Sequence, residues 1–446
     1  MKMFVWKVEN SNIIKCKKED FIKSIDNGKF IWEHLRKELD KNSDVKRYIL
    51  REYGNTCYYF TNNLTQKEID QIHYNTITNV DGKTFILNHK NISTLEFTVD
   101  SIKGLKFTNC KILNEDHIPP FLKPNLDIVS EELISWLDSR LIPVNRDKYD
   151  RLKQMNKDLQ SLESRIKIIL NNKALTLIDC YWVNEINNKL KWQDVNYYKN
   201  NFNGNLINIL IDSPGLGKQL ENLKHHPGYA LGGHLPKTWS LINNKRILLK
   251  AGFNSRFGEN FIELKMSEIL DKIGFRHIKY SSYLHKNLEL SACECYNTEE
   301  KEQIDAYSYY VDKYGEGEQI YLKLYEDLPE HIQKQLDEMI LTDYIFFNQD
   351  RHWGNFSLIR NPDTLKIIEL MPIYDNGKCL YENSENTLGK EIESKLIYDD
   401  SKELIKYCSK ISKDLYDKIK DAISLIDYSD KLKQLCLDRL NTLEIC

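Results

Sequence analysis

The chain has 446 residues, of which 41% are hydrophobic and 29% charged, and its formal net charge is −3 at pH 7. This length is enough for two or three domains with a well-buried core, and the composition is that of an ordinary soluble globular protein. The balance of charges disfavours a protein that coats nucleic acid, so direct nucleic-acid binding is not expected. No apolar run approaches the ~20 residues that span a bilayer. Because Met1–Trp6 also lacks the apolar stretch of a secretory signal, we expect a cytoplasmic protein without membrane partners.

The first third of the chain has the pattern of an α+β region. The predicted elements are a helix over 20–39 and strands over 58–60, 84–87 and 94–99. Asp81-Gly82 predicts a hairpin turn between strands at 76–78 and 84–86, because both residues tolerate positive φ. Three prolines between residues 119 and 124 then exclude a helix or a central strand. We therefore predict an N-terminal accessory domain over 1–125.

Residues 126–204 are predicted to form a helical connector. Ser130 can cap a helix that Pro143 ends. A second helix carries an apolar seam from Leu152 to Ile169, with alternating spacings of three and four residues. The shortness of this seam favours a helix packed on its own protein, and a dimer seam is the alternative.

From about residue 205 the pattern changes to that of a second α+β domain. Strands over 237–242 and 245–250 are joined by an Asn-Asn turn, and a helix over 259–273 ends at Gly274. Further elements are predicted as a helix over 331–346, strands over 356–359 and 365–370, and helices in the last forty-five residues.

Polar residues with the chemistry of phosphoryl transfer lie after the helix that ends near 346. Asp350-Arg351-His352-x-x-Asn355 occupies a loop between that helix and a strand, and Asp375 follows the next hairpin. One carboxylate can accept a proton from an attacking hydroxyl. An amide oxygen and a second carboxylate can hold Mg²⁺ on the phosphates, and the nearby Gly377 is expected to supply an unusual backbone angle for that turn.

These motifs resemble those of HipA-like kinases, whose catalytic loop reads roughly N-x-D-x-H-x-x-N-F-S and whose metal-binding loop reads P-x-Y-D. The Asp-Arg-His form is also similar to the catalytic loop of phosphoinositide kinases. The resemblance implies that the catalytic residues are Asp350, as the base, and His352, which supports the loop by hydrogen bonding. It further implies that Asn355 and Asp375 are the Mg²⁺ ligands.

The upstream segments resemble the nucleotide-binding half of the same family. Lys250 ends a strand where kinases place the lysine that holds the α- and β-phosphates, and Glu263 matches the glutamate that pairs with it. The glycine-rich segment 228–237 resembles the phosphate-covering loop, and its candidate contacts are Gly232, Gly233 and Lys237. Glu294 matches a glutamate of the hinge that contacts adenine.

The glycine-rich segment departs from the family pattern at one position. Ala230 stands about where many family members carry a serine that can be autophosphorylated. Self-inactivation by that route is therefore not carried over to this chain, although Thr238 or Ser240 could substitute.

The resemblance covers about residues 205–430 and implies a two-lobed kinase domain over 205–446. Its small lobe would span about 205–297 and its helical lobe about 298–446. It implies an ATP- and Mg²⁺-dependent serine/threonine kinase with a protein substrate, an antitoxin-like partner, and a role as a toxin or a defence or stress effector. The alternatives are a phosphoinositide or small-molecule kinase and a catalytically dead kinase-fold binding protein.

Overall fold

The computed structural model has two compact units, Met1–Asp81 and Gly82–Cys446. It describes residues 4–9, 12–16, 48–52, 56–61, 80–101, 104–120, 122, 129–141, 161–202, 226–227, 231, 235–252, 258–315, 320–348, 350–380 and 409–446. The strands of the first unit are β1 (Phe4–Glu9), β2 (Asn12–Cys16), β3 (Tyr48–Glu52) and β4 (Thr56–Thr61), which form an antiparallel sheet in the order β2-β1-β4-β3. The strand predicted at 58–60 is confirmed, and the helix predicted over 20–39 lies outside the described residues.

The second unit begins with another antiparallel sheet. Its strands are β5 (Thr84–His89), β6 (Ile92–Asp100), β7 (Lys106–Ile112) and β8 (Tyr181–Glu185), in the order β7-β6-β5-β8. The strands predicted at 84–87 and 94–99 are confirmed. Gly82 has the positive φ of 73° expected of a turn residue. The other strand of the predicted hairpin, 76–78, lies outside the described residues, so that hairpin stays a prediction; the described partners of β5 are β6 and β8.

Strand β8 belongs to this sheet although it follows the domain boundary predicted at residue 125. Residue 125 therefore does not separate two compact units, because strands from before and after it hydrogen-bond in one sheet. The long insertion between β7 and β8 hides this pairing from local sequence patterns. The helices described within and after the insertion are α1 (Val129–Ser139), α2 (Leu162–Asn171) and α3 (Trp192–Val195).

Helices α1 and α2 pack on each other, and α1 packs on β7. Ile166 and Ile169 are buried at this contact, whereas Leu162 is 45% exposed. The described part of the predicted seam therefore packs within its own protein, and Leu152 lies outside the described residues. Ser130 is inside α1 and is not its cap; its Oγ accepts a hydrogen bond from the backbone N–H of Phe107 at 3.0 Å.

The small lobe consists of one antiparallel sheet and one helix. Its elements are β9 (Lys237–Ile242), β10 (Lys245–Lys250), α4 (Glu259–Ile273), β11 (Tyr280–His285) and β12 (Leu288–Glu294), with strand order β11-β12-β10-β9. Asn243 and Asn244 have φ of 50° and 62°, which is the two-residue turn that matches the twist of a hairpin. Gly274 ends α4 with a φ of 90°. The hairpin, the helix and its C-terminal glycine are confirmed.

The second lobe is mainly helical. Its elements are β13 (Glu302–Asp305), α5 (Ala306–Tyr314), α6 (Ile320–Asp327), α7 (Glu330–Ile345), a 3₁₀ turn (Trp353–Asn355), β14 (Ser357–Arg360), β15 (Ile367–Leu370), β16 (Lys410–Ile411), α8 (Lys413–Ile423), α9 (Asp430–Leu440) and β17 (Glu444–Ile445). The predicted helix over 331–346, both strands after it and the C-terminal helices are confirmed. The predicted α+β class is also confirmed, because helices and antiparallel sheets are mixed within the described residues. No helix within the described ranges has the length and apolarity needed to cross a membrane.

Helix α4 joins the small lobe to the helical lobe. Its buried residues Met266, Ile269 and Leu270 belong to the same apolar core as Leu336 of α7 and Ile419 of α8. Helix α8 also packs directly along α4. Because these side chains are almost completely withdrawn from solvent, moving α4 away from the helical lobe would expose a large apolar area. The core therefore fixes the orientation of the helix that carries Glu263.

Candidate active site

A buried ion pair lies where the small-lobe sheet meets helix α4. Lys250 is the last residue of β10, and its Nζ donates to Glu263 Oε1 at 2.6 Å. Ser291 Oγ donates to the other carboxylate oxygen of Glu263 at 2.7 Å. Lys250 and Glu263 are only 4% and 3% exposed. The predicted pairing is present, and the second hydrogen bond fixes the orientation of the carboxylate.

The same lysine reaches the loop that carries Asp375. Lys250 Nζ lies 3.1 Å from Asp375 Oδ1 and 3.3 Å from the hydroxyl of Tyr280. Burial opposes the charge on Lys250, but the carboxylates of Asp375 and Glu263 outweigh it and raise the pKa of Lys250 well above its ordinary value. The lysine is therefore a cation held between two carboxylates, one from each lobe.

The two carboxylates respond differently to their shared cation. Burial raises the pKa of Glu263, and the attraction of Lys250 offsets this only in part. For Asp375 burial acts in the same direction, but the charges of Lys250 and Lys237 outweigh it and lower the pKa of Asp375. Lys237 is the cross-strand neighbour of Lys250 in the β9–β10 pair, so both side chains lie on one face of the sheet. Four predicted residues, Lys237, Lys250, Glu263 and Asp375, thus come together.

The predicted catalytic loop is closed by its own hydrogen bonds. The backbone N–H of Asp350 donates to Asn348 Oδ1 at 3.0 Å, and Asn355 Nδ2 donates to the carbonyl oxygen of Asp350 at 2.7 Å. Asn355 is 8% exposed. An amide ligates a cation through its oxygen, and the hydrogen bond from Nδ2 fixes the side chain that carries Oδ1. The loop thereby holds the Asp350 backbone against the Asn355 amide.

His352 immediately precedes the 3₁₀ turn of this loop and caps it. Its Nδ1 accepts a hydrogen bond from the backbone N–H of Gly354 at 3.0 Å, and the side chain is otherwise exposed. A Cβ at Gly354 would lie 2.9 Å from His352 Cε1, so a larger residue there would displace the ring. The loop support predicted for His352 is present in this geometry, and its catalytic role stays a prediction.

The loop of Asp375 has a strained backbone. Asp375 itself has a φ of 56°, in the left-handed region that residues with a Cβ rarely adopt. The expectation that the glycine supplies the unusual angle is therefore wrong. Gly377 instead lies in a tight contact, because a Cβ there would lie 3.1 Å from Glu259 Cβ at the start of α4. An ion pair between Lys378 and Glu259 fastens the same loop to the same helix.

Arg351 connects the two loops, a role that the sequence did not reveal. Its Nε and Nη2 donate to the two carboxylate oxygens of Asp343 at 2.9 and 3.0 Å. Its Nη1 donates to the carbonyl oxygens of Asn355 at 2.6 Å and Tyr374 at 2.7 Å. Its Nη2 also donates to Asn376 Oδ1 at 2.8 Å. No local sequence pattern pairs Arg351 with Asp343, eight positions earlier, or with the acceptors in the second loop.

The remaining predicted residues lie apart from this cluster or outside the described ranges. Glu294 is the last residue of β12, is exposed, and pairs with Lys245 at 2.8 Å. Its contact with adenine stays a prediction. Gly232 and Gly233 lie outside the described residues, as does Ala230.

The donor set suits a magnesium ion that is shared with phosphates. Asp375 and Asn355 offer a carboxylate and an amide oxygen, and Mg²⁺ prefers such hard oxygen ligands. Among the residues described, no group of three or more His, Cys, Asp or Glu side chains could enclose a metal. Mg²⁺ is usually held by one or two protein oxygens together with substrate phosphates and water.

Comparisons with known proteins agree with a kinase relationship. No family model matches the chain. The serine/threonine-protein kinase CtkA of Helicobacter pylori is 27% identical over 195 residues, which are 40% of this chain and 58% of that protein. The chain therefore matches little more than half of the length of this relative.

Two solved structures are similar at low identity. The proinflammatory kinase CtkA of Helicobacter pylori is 18% identical with a TM-score of 0.36, covering 46% of this chain and 88% of that one. HipA of Shewanella oneidensis, solved with HipB and operator DNA, is 13% identical with a TM-score of 0.47, covering 80% of this chain and 97% of that one. The sequence similarity to CtkA confirms the relationship that the motifs predict: over 195 residues this chain is related to a serine/threonine-protein kinase, in keeping with its resemblance to HipA-like kinases.

Proposed function

We propose that the chain is an ATP-dependent kinase that transfers the γ-phosphate to a serine or threonine hydroxyl of a protein. The observation that carries the proposal is the contact of Lys250 with both Glu263 and Asp375. A cation for the phosphates thus lies beside a carboxylate suited to their metal ion. Phosphoryl transfer depends mainly on such positioning and charge stabilisation.

Each side chain has a role in this scheme. Asp350 orients the attacking hydroxyl and accepts its proton as the hydroxyl oxygen bonds to the γ-phosphorus and the bond to the bridging β–γ oxygen breaks. Lys250 and Lys237 provide positive charge for the phosphates, and Glu263 keeps Lys250 directed towards them. Asp375 and Asn355 would hold Mg²⁺, which when bound neutralises charge on the phosphate oxygens.

A transfer assay tests this proposal directly. Purified wild type, Asp350→Ala and Asp375→Ala are incubated with radiolabelled ATP, Mg²⁺ and a cell lysate. Loss of the base or of a metal ligand should lower protein labelling by at least ~10²-fold. Asp414→Ala is the matched control, because Asp414 forms an exposed i,i+4 pair with Lys418 on α8 and should label like wild type.

Other outcomes of this assay would favour the alternatives. Labelled phosphoinositides without a labelled protein band would favour a lipid kinase. Labelling by wild type that does not exceed that of the lysate alone would favour a dead kinase fold that binds without transferring phosphate. Equal labelling by all three proteins above that level would show that the catalytic assignment is wrong.

The biological setting is proposed from the resemblance alone. It consists of a cytoplasmic toxin or stress effector with an antitoxin-like partner. The related HipA was solved with HipB and operator DNA, so the comparisons give no support to the expectation that this chain lacks direct nucleic-acid binding. Co-purification from its native host, with and without nuclease, would identify a protein partner and any nucleic acid that it brings.

A further inference from the structure

The guanidinium group of Arg351 is saturated with hydrogen bonds. An arginine has five N–H donors, and five hydrogen bonds leave this side chain, two to Asp343 and three to the loops. Arg351 is 2% exposed. A buried cation with all of its donors used adopts one position, so its acceptors are held in one arrangement as well.

The acceptors belong to the parts that phosphoryl transfer must align. Asp343 lies in the last turn of α7 and supplies a rigid anchor. The carbonyl of Asn355 belongs to the loop of the proposed base, and Tyr374 and Asn376 are the residues on either side of Asp375. One side chain therefore sets the positions of both metal-ligand candidates. It also braces the loop in which Asp375 has its strained φ.

The Asp343 carboxylate occupies the face of Arg351 that could receive a phosphate. Many kinases align their loops only after a phosphorylated residue pairs with an arginine, since a phosphate supplies charge and several acceptors. Here a carboxylate makes the equivalent two-point contact at 2.9 and 3.0 Å. A phosphate could bind this guanidinium only by displacing Asp343 or a loop acceptor.

We infer that Asp343 and Arg351 form a built-in positioning pair, which aligns the catalytic and metal-binding loops without phosphorylation of the chain. Arg351 is a positioning residue, because it acts through Asn355 and Asp375. The inference rests on the proposed function and adds its mode of regulation. We therefore expect the unphosphorylated chain to be fully active.

The test compares Arg351→Lys and Asp343→Asn with wild type. Lysine keeps the charge but cannot make the planar two-point contact, and asparagine keeps the shape of Asp343 but removes its charge. A misplacement of about 1 Å can lower a rate ~10²-fold, so kcat should fall by about 10- to 10²-fold. The Mg²⁺ concentration for half-maximal nucleotide binding should rise several-fold, whereas nucleotide binding without Mg²⁺ should change little.

Arg140→Lys is the matched control for a purely structural effect. Arg140 is also buried and makes a two-point contact with Asp179, at 2.7 and 2.8 Å, away from both loops. This variant should lose thermal stability like Arg351→Lys but keep the wild-type kcat and Mg²⁺ dependence. If Arg351→Lys does not fold, Asp343→Asn provides the same readouts.

Phosphatase treatment of wild type, checked by intact mass, is the second arm. Fully dephosphorylated protein should retain the wild-type kcat. A tenfold fall on dephosphorylation would overturn the inference, as would wild-type kcat and Mg²⁺ dependence in both variants. A wild type that binds Mg·ATP but transfers no phosphate would overturn only the proposed function. The Mg²⁺ dependence of nucleotide binding in Arg351→Lys and Asp343→Asn would then decide whether these two residues act as a positioning pair.

Discussion

Lys250 and Glu263 make a 2.6 Å contact in which both side chains are almost fully buried. The glutamate is carried by α4, whose apolar face belongs to the core of the helical lobe. The pair is therefore part of the packed structure and does not require closure of the lobes. Because Lys250 also reaches Asp375, the pair connects the proposed phosphate site with the proposed metal site.

Lys250→Met should inactivate the protein and destabilise it. Methionine leaves the buried Glu263 without its cation, and breaking such a pair on one side costs about 3–5 kcal/mol in the free energy of unfolding. Lys250→Met/Glu263→Gln should recover part of that stability, because the uncompensated charge is gone, while activity stays absent. Urea unfolding of both variants measures the difference. A double variant less stable than the single one would contradict this account.

A second buried network gives a prediction about pH. Glu302 accepts hydrogen bonds from His89, Arg360 and the backbone N–H of Cys180, and it joins the β7-β6-β5-β8 sheet to β14, which follows the catalytic loop. Burial opposes its charge, but these partners lower the pKa of Glu302 from 4.5 to about 2. A lowered folded-state pKa stabilises the fold above the unfolded value and loses that effect as pH falls.

The stabilisation from Glu302 should therefore be complete above pH 4.5 and should disappear as the pH approaches 2. Glu302→Gln should be less stable than wild type at neutral pH, and the difference in free energy of unfolding should shrink over that acid range. Denaturant titrations at several pH values measure it. A difference that is constant with pH would show that Glu302 does not titrate as described.

Gly377→Ala should disturb the metal-binding loop. The added methyl would lie 3.1 Å from Glu259 Cβ and 3.2 Å from its backbone oxygen, and that backbone cannot move freely because it starts α4. Overpacking of this kind costs about 1–3 kcal/mol. The Mg²⁺ requirement for nucleotide binding should rise, which titration with a fluorescent ATP analogue can follow. Unchanged stability and Mg²⁺ dependence would show that the loop yields easily.

His352→Ala should have a smaller effect than Asp350→Ala. The imidazole is exposed and accepts a hydrogen bond from Gly354, so its removal loosens the 3₁₀ turn and leaves the proposed base in place. We expect less than about a tenfold fall in kcat, well below the ~10²-fold expected for loss of a general base. Equal losses in the two variants would assign His352 a direct role in proton transfer.

Local patterns predicted much of the fold after residue 237 and of the candidate site. The Asn243-Asn244 turn, the apolar face of α4 and the Gly274 terminus follow from short-range chemistry, which sequence displays directly. Pairing of β8 with β5 could not be predicted in this way, because nearly a hundred residues separate them. The same holds for the acceptors of Arg351 near residue 375, since only the fold brings that loop to the guanidinium.

Lys250, Asp350 and Asp375 are proposed to form the site at which phosphate passes from ATP to protein hydroxyl groups. The most direct measurement is mass spectrometry of a dephosphorylated lysate after incubation with ATP, Mg²⁺ and purified wild type or Asp350→Ala. We expect new phosphoserine or phosphothreonine sites with wild type and their absence with Asp350→Ala. The same sites at the same occupancy with both proteins would rule out phosphate transfer at this site.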